Sequence, residues 1–173
     1  MEDADQICRV YFSKPGLRIH QRPVVSAILA GDNVIGILAT GGGKSLTYQV
    51  PYMLSTGITI VVSPLIALID DQVNGLPAAL RESTVILSGE NGMLFKSISQ
   101  ALVNTGRCLI YTGPEKLSHF IRSQTLPAHV IRLVLDEAHC ASEWGNTFRD
   151  AYLLLPSLWE QLGKPQIQAM TAT

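Results

Sequence analysis

The sequence predicts an α/β fold in which a mostly parallel β-sheet carries α-helices on both faces. Short β-branched runs alternate along the chain with segments whose apolar residues recur at helical spacing. The clearest run, residues 58–62, is β-branched at every position, which is typical of a strand buried on both faces of a parallel sheet. Parallel strands need right-handed crossovers, so helices are expected on both faces and ligands beyond the carboxyl ends of the strands.

Length and composition indicate one domain, because 173 residues with 47% hydrophobic side chains can bury a sizeable core. The formal net charge is −1 and the 13 Lys and Arg residues are scattered, so any contact with nucleic acid should be local. Three widely spaced cysteines predict neither a disulfide framework nor a zinc site. The longest apolar stretch, residues 58–69, is interrupted and too short to span a bilayer. We expect a soluble protein of the bacterial cytoplasm and nucleoid, or of the nucleus in a eukaryote.

Two helices open the predicted order of elements. Residues 5–12 show an amphipathic pattern that ends at a turn signal in residues 14–16. A second helix follows Pro23 and ends at Gly31, and a β-branched strand comes next. Helical spacing then resumes at residues 46–54, where Pro51 is expected to break the pattern.

The rest of the chain continues this alternation of strands and helices. Ser63 and Pro64 favour a helix start directly after the strand at residues 58–62. In the last predicted helix, Pro156 should disturb the helical pattern. The further predicted elements are a helix to residue 73, a strand at 84–87, a helix at about 93–103, a strand at 108–111, a helix from 114, a strand at 131–135, a helix at 148–162 and a strand at 166–171.

A glycine-rich loop at residues 41–43 separates the first strand from the helix that follows, and it precedes Lys44 and Ser45. A backbone that wraps a phosphate needs positive φ angles and a close approach, both of which glycine allows. Lys44 could reach the β- and γ-phosphates of a nucleotide, and the Ser45 hydroxyl could bind Mg²⁺. The strict phosphate-loop spacing fails at Leu38, so a glycine-rich turn that binds nothing is the alternative for this loop alone.

Two carboxylates, Asp136 and Glu137, follow the predicted strand at residues 131–135. Asp136 at this strand end could hold Mg²⁺ opposite Ser45, and Glu137 could polarise a water for transfer of the γ-phosphoryl group. Alone, an Asp-Glu pair after a strand could be a solvated turn. Together with the glycine loop it predicts a site for ATP and Mg²⁺. His139 could belong to that site or could only bond to nearby backbone.

Residues 39–45 and 136–139 match motifs I and II of superfamily 2 helicases, and the chain resembles the first, RecA-like motor domain of RecQ-family DNA helicases. The resemblance covers nearly the whole sequence in the expected order. It implies a P-loop NTPase fold, with Lys44, Asp136, Glu137 and His139 in catalysis. The nucleotide-binding residues that it implies are Arg18, Gln21, Thr40, Gly41, Gly42, Gly43, Lys44 and Ser45, with Ser45 and Asp136 on the metal and Gln21 on the adenine edge.

The resemblance also implies contacts with DNA. Ser63 and Pro64, in a segment at residues 61–73 that resembles motif Ia, would touch the DNA backbone, while Thr171 and Thr173 belong to motif III. Trp144, Phe148 and Arg149 resemble the aromatic-rich loop that couples single-stranded DNA to the ATP site. Both rings could stack on bases and Arg149 could pair with a phosphate, or the rings could equally be core anchors.

The activity implied is that of a 3′-to-5′ DNA helicase that couples ATP hydrolysis to translocation and unwinding of single-stranded and partly duplex DNA. Such motors use two RecA-like domains, and we expect residues 1–173 to be a truncated first domain that lacks its partner domain and is nearly inactive alone. An RNA-directed or restriction-associated superfamily 2 ATPase is the alternative enzyme. A non-catalytic nucleotide-dependent interaction module is the alternative from another class.

Overall fold

In the described part of the chain, six parallel strands form a sheet in the order β1-β6-β5-β2-β4-β3. The structure is a computed structural model, and it describes residues 1–64, 66–88, 91–139 and 153–172. The strands are β1 (Val34–Ile37), β2 (Gly57–Val62), β3 (Thr84–Ile86), β4 (Arg107–Thr112), β5 (Val130–Leu135) and β6 (Gln166–Thr171).

Helices connect these strands and confirm the predicted alternation. Within the described residues they are α1 (Glu2–Phe12), α2 (Arg22–Ala30), α3 (Leu46–Met53), α4 (Ile66–Asn74), α5 (Ala78–Arg81), α6 (Asn91–Thr105), α7 (Pro114–Ser123) and α8 (Leu155–Gln161). No helix in this part of the chain is both long and apolar enough to cross a bilayer.

Helices pack on both faces of the sheet, as the sequence predicts. Residues of α6, α7 and α8 form one hydrophobic cluster with β2, β4 and β5. Residues of α3, α4 and α5 form a second cluster with the opposite face of the same three strands. Helices α1 and α2 pack beside α3 in a third cluster. The fold class predicted from the alternation of elements is therefore confirmed.

The central strand β2 shows why its sequence lacks polar alternation. Ile58, Ile60 and Val62 point into the cluster of α6 to α8, whereas Val61 points into the cluster of α3 to α5. All four side chains are completely buried. Burial of each contributes roughly 1.5–3 kcal/mol relative to exposure, so both faces of this strand stabilise the fold.

Several boundaries differ from the prediction, for local reasons. Pro51 does not break α3, which continues to Met53, because the helix is clamped by the buried side chains of Tyr48, Val50 and Tyr52. Helix α5 was not predicted, since four residues are too few to show a helical period. Pro156 lies in the first turn of α8, where the absent N–H group costs no hydrogen bond.

The strand register brings two loops to one edge of the sheet. Ile37 at the end of β1 is aligned with Thr171 of β6, and Leu135 at the end of β5 is aligned with Val62 of β2. The glycine loop after β1 and the carboxylates after β5 therefore start from the same, carboxyl-terminal edge.

Candidate nucleotide-binding site

The glycine loop needs glycine at each of its three positions. Gly41 and Gly43 have φ angles of 75° and 79°, in the left-handed region that other residues rarely adopt. At Gly42 a Cβ would lie 2.7 Å from the Ala39 carbonyl oxygen, which already accepts the Gly42 N–H. The loop ends at Ser45, the N-cap of α3, so the positive end of that helix's dipole follows it directly. This geometry is typical of a phosphate cradle.

An ion pair joins the glycine loop to the carboxylates. Lys44 Nζ lies 2.6 Å from Glu137 Oε1, and the two side chains are 13% and 27% exposed. Glu137 has a φ angle of 50°, a left-handed conformation that costs energy in a residue with a side chain. The structure thus brings together the two motifs that sequence reasoning assigned to one site.

Asp136 is buried, with 4% of its surface exposed. Its Oδ1 atom accepts the Glu137 N–H at 3.1 Å, and its Oδ2 atom accepts a hydrogen bond from Gln72 Nε2 at 3.4 Å. Burial raises the pKa of this carboxyl above its usual value, and the charge of Glu137 adds to the rise. The positive charge of Lys44 and the two hydrogen bonds oppose it.

His139 lies inside this cluster. Its Nδ1 atom is 3.4 Å from Glu137 Oε2 and 3.0 Å from the hydroxyl of Thr171, the last residue of β6. Sequence reasoning left open whether this histidine belongs to the site or only contacts backbone. Its side-chain contacts place it in the site, where it connects Glu137 to the end of β6.

Residues before α2 hold the glycine loop from the other side. Gln21 is completely buried, and its Nε2 atom donates to the carbonyl oxygens of Gly42 and Gly43 at 3.1 and 3.0 Å. Its Oε1 atom accepts the N–H of Arg18 at 2.8 Å, and the Arg18 guanidinium donates to Gly41 O at 3.2 Å. Both predicted nucleotide-binding side chains are therefore at the site, and in this structure they bind the loop itself.

Three contacts at the site were missed by sequence reasoning. His20 Nε2 lies 3.1 Å from Gly42 O, next to the contacts of Gln21. Thr47 donates to Lys44 O at 2.6 Å and accepts a hydrogen bond from the buried Gln168 of β6 at 3.1 Å. No local signal in the sequence marks Gln168 for this link, because β6 also carries the polar residues Gln166 and Thr171.

The residues predicted to contact DNA are less clearly placed. Ser63 and Pro64 follow β2 and are buried, and Ser63 N donates to Thr112 O at 2.9 Å. Thr171 is 6% exposed and contacts His139. The remaining residues of this prediction lie outside the described residues: Trp144, Phe148, Arg149 and Thr173.

The donor atoms at this edge suit Mg²⁺, which prefers oxygen ligands and keeps several of its waters, so that few protein ligands are needed. Asp136 supplies carboxylate oxygens, and the hydroxyl of Ser45 stands at the start of α3. The side chain of Gln72 contacts Asp136, and its Oε1 atom is buried without a hydrogen-bond partner among the described residues. The same part of the chain contains no group of three or more His, Cys, Asp or Glu residues that could hold a metal by themselves.

Comparison with known proteins adds an independent finding. Residues 18–173 match the profile of the family described as DEAD/DEAH box helicase. The chain is 39% identical over 179 residues to ATP-dependent DNA helicase Q-like 2 of Arabidopsis thaliana, which covers 98% of this chain and 25% of that protein. It is 36% identical to the probable ATP-dependent DNA helicase RecS of Bacillus subtilis, over 100% of this chain and 35% of that protein. It is 34% identical to ATP-dependent DNA helicase RecQ of Haemophilus influenzae, over 96% of this chain and 27% of that protein.

Solved structures show the same fold. The helicase domain of Pyrococcus furiosus Hef aligns with a TM-score of 0.66 at 18% identity, over 91% of this chain and 33% of that one. The DEAD-box helicase Mss116, in a structure bound to ssRNA and UDP-BeF, aligns with a TM-score of 0.67 at 18% identity, over 98% of this chain and 38% of that one. At this identity the likeness concerns the fold alone. The chain spans between a quarter and about a third of the length of the three curated relatives named above.

Proposed function

The chain belongs to the DEAD/DEAH box helicase family, and on that premise we propose that it is the ATP-binding motor domain of a RecQ-like DNA helicase. The observation that carries the proposal is the 2.6 Å ion pair between Lys44 and Glu137, which unites the glycine loop with the carboxylates. The three curated relatives at 34–39% identity are all named as ATP-dependent DNA helicases, one of them as a probable one.

The proposed chemistry is ATP hydrolysis at the carboxyl edge of the sheet. The amides of the glycine loop bind the phosphates at the positive end of the α3 dipole, and Lys44 exchanges its contact with Glu137 for the β- and γ-phosphates. Glu137, freed from Lys44, orients and polarises the attacking water. Ser45 and Asp136 would hold Mg²⁺, which neutralises charge on the phosphates when it is bound. His139 keeps Glu137 in contact with β6.

The adenine end of the site lies near α2. Gln21 and Arg18 contact the carbonyl oxygens of the glycine loop, so a base that engages Gln21 would act on the same backbone that holds the phosphates. We propose that Gln21 reads the adenine edge by exchanging these loop contacts for the base. Thr40 completes the loop on its solvent side.

We propose single-stranded and partly duplex DNA as the substrate, with 3′-to-5′ polarity. Ser63, Pro64 and Thr171 would serve DNA binding or coupling along the carboxyl edge, together with Thr173, Trp144, Phe148 and Arg149. In the proposed parent enzyme, residues 1–173 form the first motor domain, and a second RecA-like domain closes over the ATP during translocation. The substrate places the protein in the bacterial nucleoid or in the nucleus.

The test is Lys44→Ala in this chain. In the proposed site Lys44 leaves Glu137 and binds the β- and γ-phosphates, so its loss should abolish ATP binding measured by calorimetry. The fold should persist in circular dichroism spectra. Unchanged ATP affinity would overturn the phosphate-loop assignment.

Stimulation of ATP turnover separates the alternatives in the full-length protein. Single-stranded DNA should stimulate turnover more than RNA or duplex DNA does. Preferential stimulation by RNA would instead favour an RNA-directed ATPase. ATP binding without turnover under any of these conditions would favour a nucleotide-dependent interaction module.

A further inference from the structure

The side chain of Gln72 connects α4 to the carboxylate that follows β5. Its Nε2 atom donates to Asp136 Oδ2 at 3.4 Å, although 64 residues separate the two in sequence. The other carboxylate oxygen, Oδ1, accepts the Glu137 N–H at 3.1 Å, and the Asp136 N–H donates to Val62 O at 2.9 Å. The carboxylate is therefore held at both of its oxygens, and Gln72 reaches it from another element.

The second polar atom of the Gln72 amide points to a further role. Its Oε1 atom is covered and lacks a hydrogen-bond partner among the residues that the structure describes. A buried carbonyl oxygen without a donor carries a desolvation cost, so such an atom next to a functional carboxylate calls for a ligand with a hydrogen to donate. Water bound to Mg²⁺ is such a donor, because this ion keeps several waters when it binds to proteins.

The helix that carries Gln72 is fixed by its neighbours. Ile69, one turn earlier on α4, is 2% exposed and lies in the cluster with α3 and α5, and Val73 packs against the same cluster. The following residue, Asn74, ends the helix and accepts a hydrogen bond from Arg81 at its carbonyl oxygen. A fixed backbone is what a residue needs in order to orient another side chain.

We propose that Gln72 is a positioning residue for the metal of the ATP site. Its N–H group orients Asp136, and its Oε1 atom accepts a hydrogen bond from a water in the hydration shell of Mg²⁺. The proposal rests on the proposed function, because Asp136 is the metal ligand there. It also gives Gln72 a different role from the contact with the DNA backbone that the resemblance of residues 61–73 implies.

The test measures the coupling between Mg²⁺ and ATP in this chain. The dissociation constant of a fluorescent ATP analogue is determined in EDTA and in excess Mg²⁺. The coupling factor is the value in EDTA divided by the value in Mg²⁺, so a larger factor means that Mg²⁺ strengthens ATP binding more. Gln72→Met removes both polar atoms at similar volume, and Gln72→Ala is a second variant. Gln100→Met is the matched control, because Gln100 is an exposed glutamine of α6 that contacts Asn104 on its own helix.

Both Gln72 variants should lower the coupling factor about tenfold, as loss of an outer-shell partner typically weakens metal binding by 10–100-fold. Affinity in EDTA should stay within about twofold of the wild type, and Gln100→Met should change neither value. An unchanged coupling factor would overturn the proposal, and so would an equal loss of affinity with and without Mg²⁺, since that is the result of a purely structural role. If the wild-type chain itself shows no Mg²⁺-dependent ATP binding, the proposed function fails before any variant is compared.

Discussion

Replacement of Glu137 by Gln is expected to tighten ATP binding and slow hydrolysis at the same time. In this structure Lys44 is bound to Glu137, and it must leave that partner before it can bind phosphates. Glutamine keeps the shape of the side chain but removes its charge, so the lysine is released at lower cost. The same substitution removes the carboxylate that would polarise the attacking water in the proposed reaction.

The size of the first effect follows from the ion pair. Lys44 Nζ and Glu137 Oε1 are 2.6 Å apart, and the side chains are 13% and 27% exposed. A hydrogen bond between charged groups contributes about 1.5–3 kcal/mol, and partial access of solvent reduces this to about 1–2 kcal/mol. Because 1.4 kcal/mol corresponds to a factor of ten, ATP affinity should rise about five- to thirtyfold. Loss of the catalytic base should lower turnover by about 10²–10⁴-fold.

Two assays measure these effects separately. ATP affinity is determined by calorimetry on this chain with Mg²⁺ present, and steady-state turnover is determined in the full-length protein with single-stranded DNA. Glu160→Gln is the matched control, because Glu160 undergoes the same change of charge in α8 and its side chain is 67% exposed. An affinity of Glu137→Gln equal to or below that of the wild type would refute the idea that the ion pair competes with ATP. Undiminished turnover would refute the role of Glu137 as base.

Three further predictions follow from the pKa of Asp136, from a buried arginine and from the aromatic loop. The raised pKa of Asp136 means that the folded state binds this proton more tightly than the unfolded state, so stability falls as pH rises from the usual value near 3.8 through the raised one. Asp136→Asn should therefore be more stable than wild type at pH 7, and the gain should shrink as pH falls towards 4 in urea unfolding; a constant gain would contradict the raised pKa. Arg132 of β5 is 4% exposed, its Nε atom donates to Gln166 at 2.9 Å, its Nη1 atom has no hydrogen-bond partner in the described part of the chain, and burial lowers its pKa to about 10. Arg132→Met should thus be neutral or stabilising by up to about 2 kcal/mol in the same unfolding assay, whereas a loss above about 2 kcal/mol would indicate a partner for the charge. Trp144→Ala in the full-length protein should reduce DNA-stimulated turnover more than basal turnover, because a stacking contact worth about 1–3 kcal/mol exists only with DNA present; an equal loss in both rates would favour the core-anchor role.

The main elements of the fold could be predicted because their signals are local. The β-branched residues of β2 report that both faces of the strand are buried, and the glycines before Lys44 report a loop with positive φ angles. Elements whose signal is short or contradictory were misjudged. Helix α5 has only four residues, and Pro51 would break an isolated helix, yet the packing of α3 outweighs its intrinsic preference.

The two halves of the candidate site were likewise predictable, but the contacts between them were not. Residue types and spacing identified Lys44 and Glu137 separately, and the rule that parallel strands share a carboxyl edge placed them together. No pattern in the sequence indicated that Gln21 binds the glycine loop through its amide or that Gln168 reaches Thr47. These partners lie 21 and 121 residues apart, and only the packing of α2 and β6 against the loop brings them into contact.

The sequence by itself determined the order of the strands and of every described helix except α5, the glycine-rich loop and the identity of the two carboxylates, since each depends on residues within one short segment. The tertiary structure alone decided the strand order of the sheet, the ion pair that closes the site and the contact of Gln72 with Asp136. The physical reason is that a side chain and its partner, here separated by 93 or 64 residues, meet only when the register of β2, β5 and β6 and the packing of α3 and α4 are fixed.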